Sequence, residues 1–523
     1  MLPLLILYLC CCCSATLILE DESATNEKFT GEKAIKQLTR YVRMRDGTRV
    51  FMYNKDDLHY IVEQKKQLLD MLADDNGLMV FPQSSDQQSP FFSGDIMVTK
   101  DQIDHIYQDM HQKLAKRKKR SVSFQSTKAW NSRTIRYDVD RKLLKKPEKM
   151  AAIKQAIEWW TDNTCLRFRA SRIRKSSRYP CIVFTSKPTC ASFLGMVGGQ
   201  QPIHIGGACA TAGVVAHLVG HAIGLTHEHQ RLDRDDTIVI HWNNVNGNFL
   251  DAFAKCDNCH YQSVPYDIGS IMHISPKAFS SNGKHTLDTD ITLNGNPSKT
   301  MGSRRLGPSY LDILKINHLY CKEKLREPDY DDFGVSGGYW HPGHFYKSIC
   351  PSGFYGIDCN IMLNGNRNYF YYFDIYRLLR ALITYLCSYV GFITAKHCGY
   401  LLRSGYLWNT FETPNYPEAM DIGHQCTYFV YAPPGRVIEF QFADERLDFL
   451  DTEPCDLSFV EVRAGQNLQT TGHRFCGSAG LKQAIRSKSN KLLVLLRASD
   501  NQTASQGFKG QFRHLSTQGS DYL

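Results

Sequence analysis

The sequence predicts a multidomain chain, with a helix-bearing globular domain in its middle and an all-β sandwich near its C-terminal end. Three observations carry this reading. A length of 523 residues exceeds one ordinary domain and, at roughly 150 residues each, points to three or four units. The segment from Thr211 to Arg231 is apolar and places histidines on a helical repeat, ending at a glycine turn. Between Cys398 and Leu515, short alternating runs recur between turn residues, as in a β-sandwich. Hydrophobic residues make up 42% and charged residues 22%, which excludes a mainly disordered, collagenous or multi-span membrane chain.

In chain order, residues 1–15 read as a signal peptide. Met1 to Leu7 are apolar, Cys10 to Cys13 continue the stretch, and Cys13-Ser14-Ala15 offers small residues for cleavage, although a positive n-region is missing. Secretion into an extracellular, oxidising compartment is therefore expected. There the fourteen cysteines left of the eighteen favour disulfides over free thiols. Residues 16–120 contain no cysteine, carry a helix-like stretch from Asp56 to Asp75, and end in Arg117-Lys118-Lys119-Arg120. That run fits the Arg-x-Lys-Arg pattern of furin-type convertases, so 16–120 reads as a propeptide removed between Arg120 and Ser121. Lys113 and Lys116 extend the same run, which supplies six of the positives behind the net charge of +10. The charge thus implies no nucleic-acid partner.

Residues 121–321 form the globular domain. Ile153, Ala156, Ile157 and Trp160 recur at helical spacing after Pro147, so a helix packs there on the core. Residues 322–360 hold the tight loop Cys350 to Cys359. Residues 361–397 are an atypical aromatic and apolar linker whose run from Tyr369 to Ala395 is broken by Asp374, Arg377 and Arg380. Its longest uninterrupted piece, Ala381 to Ala395, falls short of the roughly 20 apolar residues of a membrane span. Residues 398–515 carry the strand-like runs Thr427 to Tyr431, Val437 to Phe442, Ser458 to Val462 and Lys491 to Leu496, and 516–523 are a tail.

The chemistry lies in His217-x3-His221-x2-Gly224-x2-His227. Residues four apart on a helix share a face, so His217 and His221 can grip one cation. Gly224 can adopt the positive φ that ends the helix and returns the chain, which lets His227 add a third nitrogen. Three neutral imidazoles with one position left open is the arrangement of a catalytic zinc rather than a closed structural one. One zinc per chain is expected.

These residues resemble the zinc motif of the metzincins, and Glu228 and Arg231 after them match the astacin family of zinc endopeptidases. Ser270-Ile271-Met272-His273 resembles the family's Met-turn, and Phe92-Ser93-Gly94-Asp95 is similar to the propeptide motif whose aspartate ligates the zinc in astacin zymogens. The resemblance implies an α+β zinc domain with disulfides Cys165–Cys321 and Cys190–Cys209. Residues 337–359 resemble the end of an EGF-like module, with Cys350 and Cys359 as its remaining pair. Cys398 to Leu515 looks like a CUB domain, with Cys398–Cys426 and Cys455–Cys476 as its expected pairs. This order of modules is typical of nematode astacins.

Two positions depart from that pattern. The glutamate that serves the family as general base is Leu218 here, and a leucine accepts no proton; general acid–base catalysis contributes roughly 10² to 10⁴ in rate. The tyrosine that the family places after Met-His to stabilise the oxyanion is Ile274 here, and losing one such donor costs on the order of 10² to 10³. Glu228 lies beyond the Gly224 turn, and in the family it points inward to anchor the mature N-terminus. His229 is a candidate replacement base. Leu218 also extends the apolar face of Val214 and Val215.

Two functions follow. One is a secreted zinc-binding homologue that has lost most or all proteolysis and captures peptides or partners in its cleft and CUB domain. The other is an active endopeptidase on extracellular proteins, latent until the propeptide leaves. Cys256-x2-Cys259 reads as a local disulfide rather than a zinc knuckle. Cys181 and Cys387 have no assigned partner and are open to pairing together, staying free or bonding another chain. Asn501-Gln-Thr503 is a glycosylation sequon. Ser458 stands where calcium-binding CUB domains carry an aspartate, with Asp456 and Asp500 nearby.

Overall fold

The computed structural model describes residues 31–516 with breaks, the longer ones at 76–89, 116–120, 123–128, 172–178, 258–262, 290–298, 326–336, 367–397, 419–423, 478–483 and 499–506. The signal segment, Arg120, Cys259, Cys387, Asp500, Asn501 and the aromatic run 369–395 lie outside the described residues.

The N-terminal segment folds as helices α1 (Gly31–Leu38), α2 (Lys55–Asp75) and α3 (Lys100–Ala115). Along α2, Leu58, Ile61, Leu68, Leu69 and Leu72 keep the helical repeat and are buried. They share one core with Phe249, Phe253 and Phe279 of the following domain. After α2 the chain enters strand β1 (Ile96–Met97), which pairs in parallel with β5 (Cys190–Phe193).

The central domain is an α+β unit built on a mixed sheet. Its other strands are β2 (Thr134–Val139), β3 (Arg167–Ala170), β4 (Cys181–Thr185) and β6 (Gln200–Ile205), in the order β1-β5-β6-β4-β2-β3, with β5 and β6 the one antiparallel pair. Helix α4 (Pro147–Asn163) opens on proline, which suits a first turn whose N–H has no partner. It buries Ile153, Ala156, Ile157 and Trp160, as their spacing predicts. Helix α5 (Ala212–Ala222) packs on it, with Trp160 Nε1–H donating to the Ala216 carbonyl at 3.0 Å. Helix α6 (Tyr310–Tyr320) closes the domain. Disulfides join Cys165 to Cys321 and Cys190 to Cys209.

Cys181 is a buried thiol on β4 with no disulfide partner among the described residues, covered by Val42 and Met44 of the N-terminal segment. Burial, with help from Asp138, pushes its pKa up to about 12. Because the thiolate is the nucleophile, Cys181 in the unprocessed chain is expected to resist iodoacetamide at about pH 8 and to react only after denaturation; rapid alkylation of the native chain contradicts this.

Two small hairpins follow, Tyr339–Trp340 with Ser348–Ile349 and Phe354–Tyr355 with Ile361–Met362, bridged by Cys350–Cys359. The C-terminal unit is all-β, with ten strands in two sheets among the described residues. Those strands are β7 (Asn364–Asn366), β8 (Leu401–Arg403), β9 (Asn409–Glu412), β10 (His424–Tyr431), β11 (Arg436–Phe442), β12 (Phe459–Arg463), β13 (His473–Phe475), β14 (Ile485–Arg486), β15 (Lys491–Arg497) and β16 (Lys509–Ser516). One sheet runs β7-β10-β15-β12-β13 with β8 also on β10; the other runs β9-β16-β11-β14. Inward residues such as Tyr428, Phe440, Phe508 and Phe512 fill the space between them. Disulfides Cys398–Cys426 and Cys455–Cys476 lie within it. β7 falls inside the stretch 361–397 read as a linker, so the sheet reaches further upstream than the cysteine pattern suggests. Its Asn-Gly-Asn sequence lacks the apolar alternation that marks a strand.

This sandwich docks on the central domain through polar contacts. Thr471 N–H donates to Asp267 Oδ1 at 3.0 Å, Arg474 Nη1 donates to Ser303 Oγ at 2.9 Å, and Cys455 N–H donates to the Lys299 carbonyl at 2.8 Å.

Candidate metal centre

Helix α5 begins where Thr211 Oγ1 accepts from Val214 N–H. It is buried on all sides from Gly213 onward. Its glycines permit that depth, because a Cβ on Gly213 would lie 1.7 Å from the Arg304 carbonyl oxygen and one on Gly220 would lie 2.8 Å from Met272 Sδ. The helix ends at Gly224, whose φ of 106° is open to glycine and strained for other residues. The turn there is closed by Gly224 N–H to His221 O and Leu225 N–H to Gly220 O, both at 2.9 Å. It brings His227 back against the helix.

The structure gathers His217, His221, His227 and Asp95 into one buried cluster. His221 Nε2 lies 3.1 Å from His217 Nε2 and 3.2 Å from His227 Nε2. Asp95 Oδ2 is 2.7 Å from His217 Nε2, and its Oδ1 is 3.1 Å from His227 Nε2 and 3.5 Å from His221 Nε2. Carbonyl oxygens settle two tautomers. His217 Nδ1 meets Ile271 O at 2.9 Å and His221 Nδ1 meets Leu225 O at 2.8 Å, so each Nδ1 carries the proton and each Nε2 turns a lone pair inward.

Lone pairs and a carboxylate facing one another repel unless a cation lies between them. Nitrogens about 2.0–2.1 Å from a tetrahedral zinc stand about 3.3–3.4 Å apart, close to the separations seen here. The donor set fits zinc. Burial holds His217 and His227 below their ordinary pKa, in the neutral form a metal requires.

Met272 lies beneath the helix, and Ile271 beside it supplies the carbonyl that orients His217. This loop is fixed from α6. Asp312 closes a capping box with Ser309 and accepts from Ile271 N–H at 2.8 Å and from Ser270 Oγ at 2.5 Å; burial pushes its pKa up to about 6. The reading of the sequence missed Asp312, although Ser309-x-x-Asp312 carries the capping signal.

Leu218, next to His217, has no exposed surface and sits in the core that holds Val215, Val219, Ala222 and Trp160. Ile274 is buried in the opposite core with Phe253 and Phe279. Glu228 is committed elsewhere. It forms buried ion pairs with Lys315 and Arg231 and accepts from Asp267 N–H at 3.0 Å. His229 is likewise buried; its Nε2–H is held by Ala252 O at 2.8 Å, and burial drives its pKa well below the ordinary value. Removing one partner of a buried ion pair strands the other charge, at a cost of about 3–5 kcal/mol. Lys315→Met is therefore expected to lower the thermal midpoint of the central domain by several degrees, and an unchanged midpoint in calorimetry contradicts that pairing.

The peptidase family described as Astacin matches residues 122–321, and the CUB domain matches residues 398–512. Zinc metalloproteinase dpy-31 of Haemonchus contortus is 30% identical over 438 residues, covering 82% of this chain and 72% of its own length. Zinc metalloproteinase nas-36 of Caenorhabditis briggsae is 30% identical over 432 residues, covering 81% of this chain. The chain spans 63% of the length of nas-36 and 64% of that of dpy-31 from Teladorsagia circumcincta. Among solved structures, high choriolytic enzyme 1, a hatching enzyme zinc-protease of Oryzias latipes, is 32% identical, covers 38% of this chain and 98% of that one, and gives a TM-score of 0.32. An identity of 30% held across 72% of a nematode zinc metalloproteinase, together with the matched domain, means that this chain belongs to the astacin family of peptidases, with a CUB domain following the zinc-protease domain.

Proposed function

We propose that this is a secreted, zinc-holding astacin homologue, made as a zymogen, that binds extracellular peptides in its cleft and hydrolyses them weakly or not at all. One observation carries the reading: the residue after the first histidine of the motif is Leu218, fully buried among apolar neighbours. His217, His221 and His227 would hold the metal, which supplies Lewis-acid polarisation of a carbonyl and activation of water. The protein's own groups must then move protons and stabilise developing charge. Leu218 can do neither, Ile274 offers no hydroxyl, and Glu228 is neutralised by Lys315 and Arg231. In this reading Asp95 serves as the latency ligand, cutting between Arg120 and Ser121 by a furin-type convertase releases the cleft, and Asn501 carries a glycan.

The buried Asp95 favours a second reading, an active endopeptidase, because a site that does no chemistry gains little from a plug. Incubating the convertase-processed protein with a peptide library and analysing it by mass spectrometry separates the two. Peptides retained and recovered largely whole are expected; cleavage by the natural chain as fast as that by a Leu218→Glu, Ile274→Tyr variant, and absent from a His221→Ala control, contradicts the first reading and supports the second.

A further inference from the structure

Along α2 the apolar repeat Leu58, Ile61, Leu68, Leu72 is interrupted on its buried side by Lys65, which is 1% exposed. A lysine at such depth needs an anion. Its Nζ lies 3.3 Å from Asp251 Oδ2, donates to Phe91 O, and stands 5.5 Å over the Phe249 ring. Asp251 is 0% exposed and belongs to the central domain, on the short helical turn Leu250–Phe253. Its Oδ2 also accepts from Ser93 N–H at 2.6 Å, while Oδ1 is buried with no hydrogen-bond partner among the described residues. Burial lowers the lysine pKa and raises that of the carboxyl, and each group opposes that shift in the other.

Both donors to Oδ2 come from the N-terminal segment. Ser93 is two residues from Asp95, a reach of at most about 7 Å, so the Asp251 carboxylate, which accepts from Ser93 N–H, lies close to the histidine cluster. When the segment leaves, that carboxylate loses Lys65 and Ser93 together and is left beside Phe249. A buried carboxylate without a partner is costly, and the geometry already shows which group satisfies it. The departing β1 also uncovers the edge of β5, where an extended peptide can add as a strand.

We infer that Asp251 forms a cleft subsite for a basic side chain, with Lys65 standing in for the lysine or arginine of a bound peptide. This rests on the peptide-capture reading above and adds a preference to it. Phe249 would line the alkyl stem, as it lies under Lys65, and the carboxylate would take the charged end in a charge-assisted hydrogen bond.

The test uses the convertase-treated full chain and fluorescent octapeptides in which lysine, methionine or glutamate is placed at each position in turn. At one position lysine is expected to bind about tenfold more tightly than methionine, and Asp251→Asn is expected to erase that ratio while methionine peptides still bind. Equal binding of lysine and methionine peptides everywhere, or a preference that survives Asp251→Asn, overturns the subsite and leaves the pair as an anchor for the N-terminal segment. Absence of binding by every peptide, in protein that retains its zinc, removes the capture reading and the subsite with it.

Discussion

His221→Ala is expected to lower zinc affinity by more than about 100-fold. Loss of an outer-shell partner alone typically costs roughly 10- to 100-fold, and this change removes a direct donor. The effect is large because His221 is the middle of the three, 3.1 Å and 3.2 Å from its neighbours. Without it, His217 and His227 are the two imidazole nitrogens left to the ion. Titration of the convertase-processed protein with a chromophoric zinc chelator measures it. Affinity within about threefold of the natural chain would mean that the ion sits elsewhere.

Restoring the two missing groups is expected to have the next largest effect. Leu218→Glu supplies a proton acceptor, worth roughly 10² to 10⁴ in rate, and Ile274→Tyr supplies an oxyanion donor, worth on the order of 10² to 10³. Groups that act together are not additive, so the double variant is expected to gain at least about 100-fold in hydrolysis of a quenched peptide. The same change carries a structural cost, because Leu218 fills the core beside Trp160 and Val215; burying a carboxylate there is unfavourable unless it reaches the metal. A double variant that folds, holds zinc and gains nothing would show that more than these two residues has been lost.

The metal site was legible because its information is local. A four-residue helical spacing, a glycine that must take positive φ, and a third histidine fix most of the geometry between His217 and His227. Asp95 was legible only through resemblance, since nothing in its own neighbourhood says that it will lie 2.7 Å from His217. The groups that orient and seal the site were not read. Asp312 reaches Ile271 across 41 residues, and Lys315 reaches Glu228 across 87. Such pairings depend on tertiary packing rather than on any repeat. Lys65 did leave a trace, as a charge in the middle of an apolar stripe, but a solvated lysine is the usual reading of such a residue. In the C-terminal sandwich the alternation of β10, β11, β12 and β15 was plain, whereas β7 is recruited by the edge of β10 and carries no strand pattern of its own.

On the proposed reading the cleft keeps its metal while Leu218 and Ile274 stand where the residues that would use it are expected. Zinc content and peptide turnover, measured on one sample of the convertase-processed natural chain beside His221→Ala, test this most directly. One zinc per natural chain, with turnover at least about 100-fold below that of the Leu218→Glu, Ile274→Tyr variant, is the expected result. Turnover by the natural chain that equals the variant's and disappears in His221→Ala would contradict it.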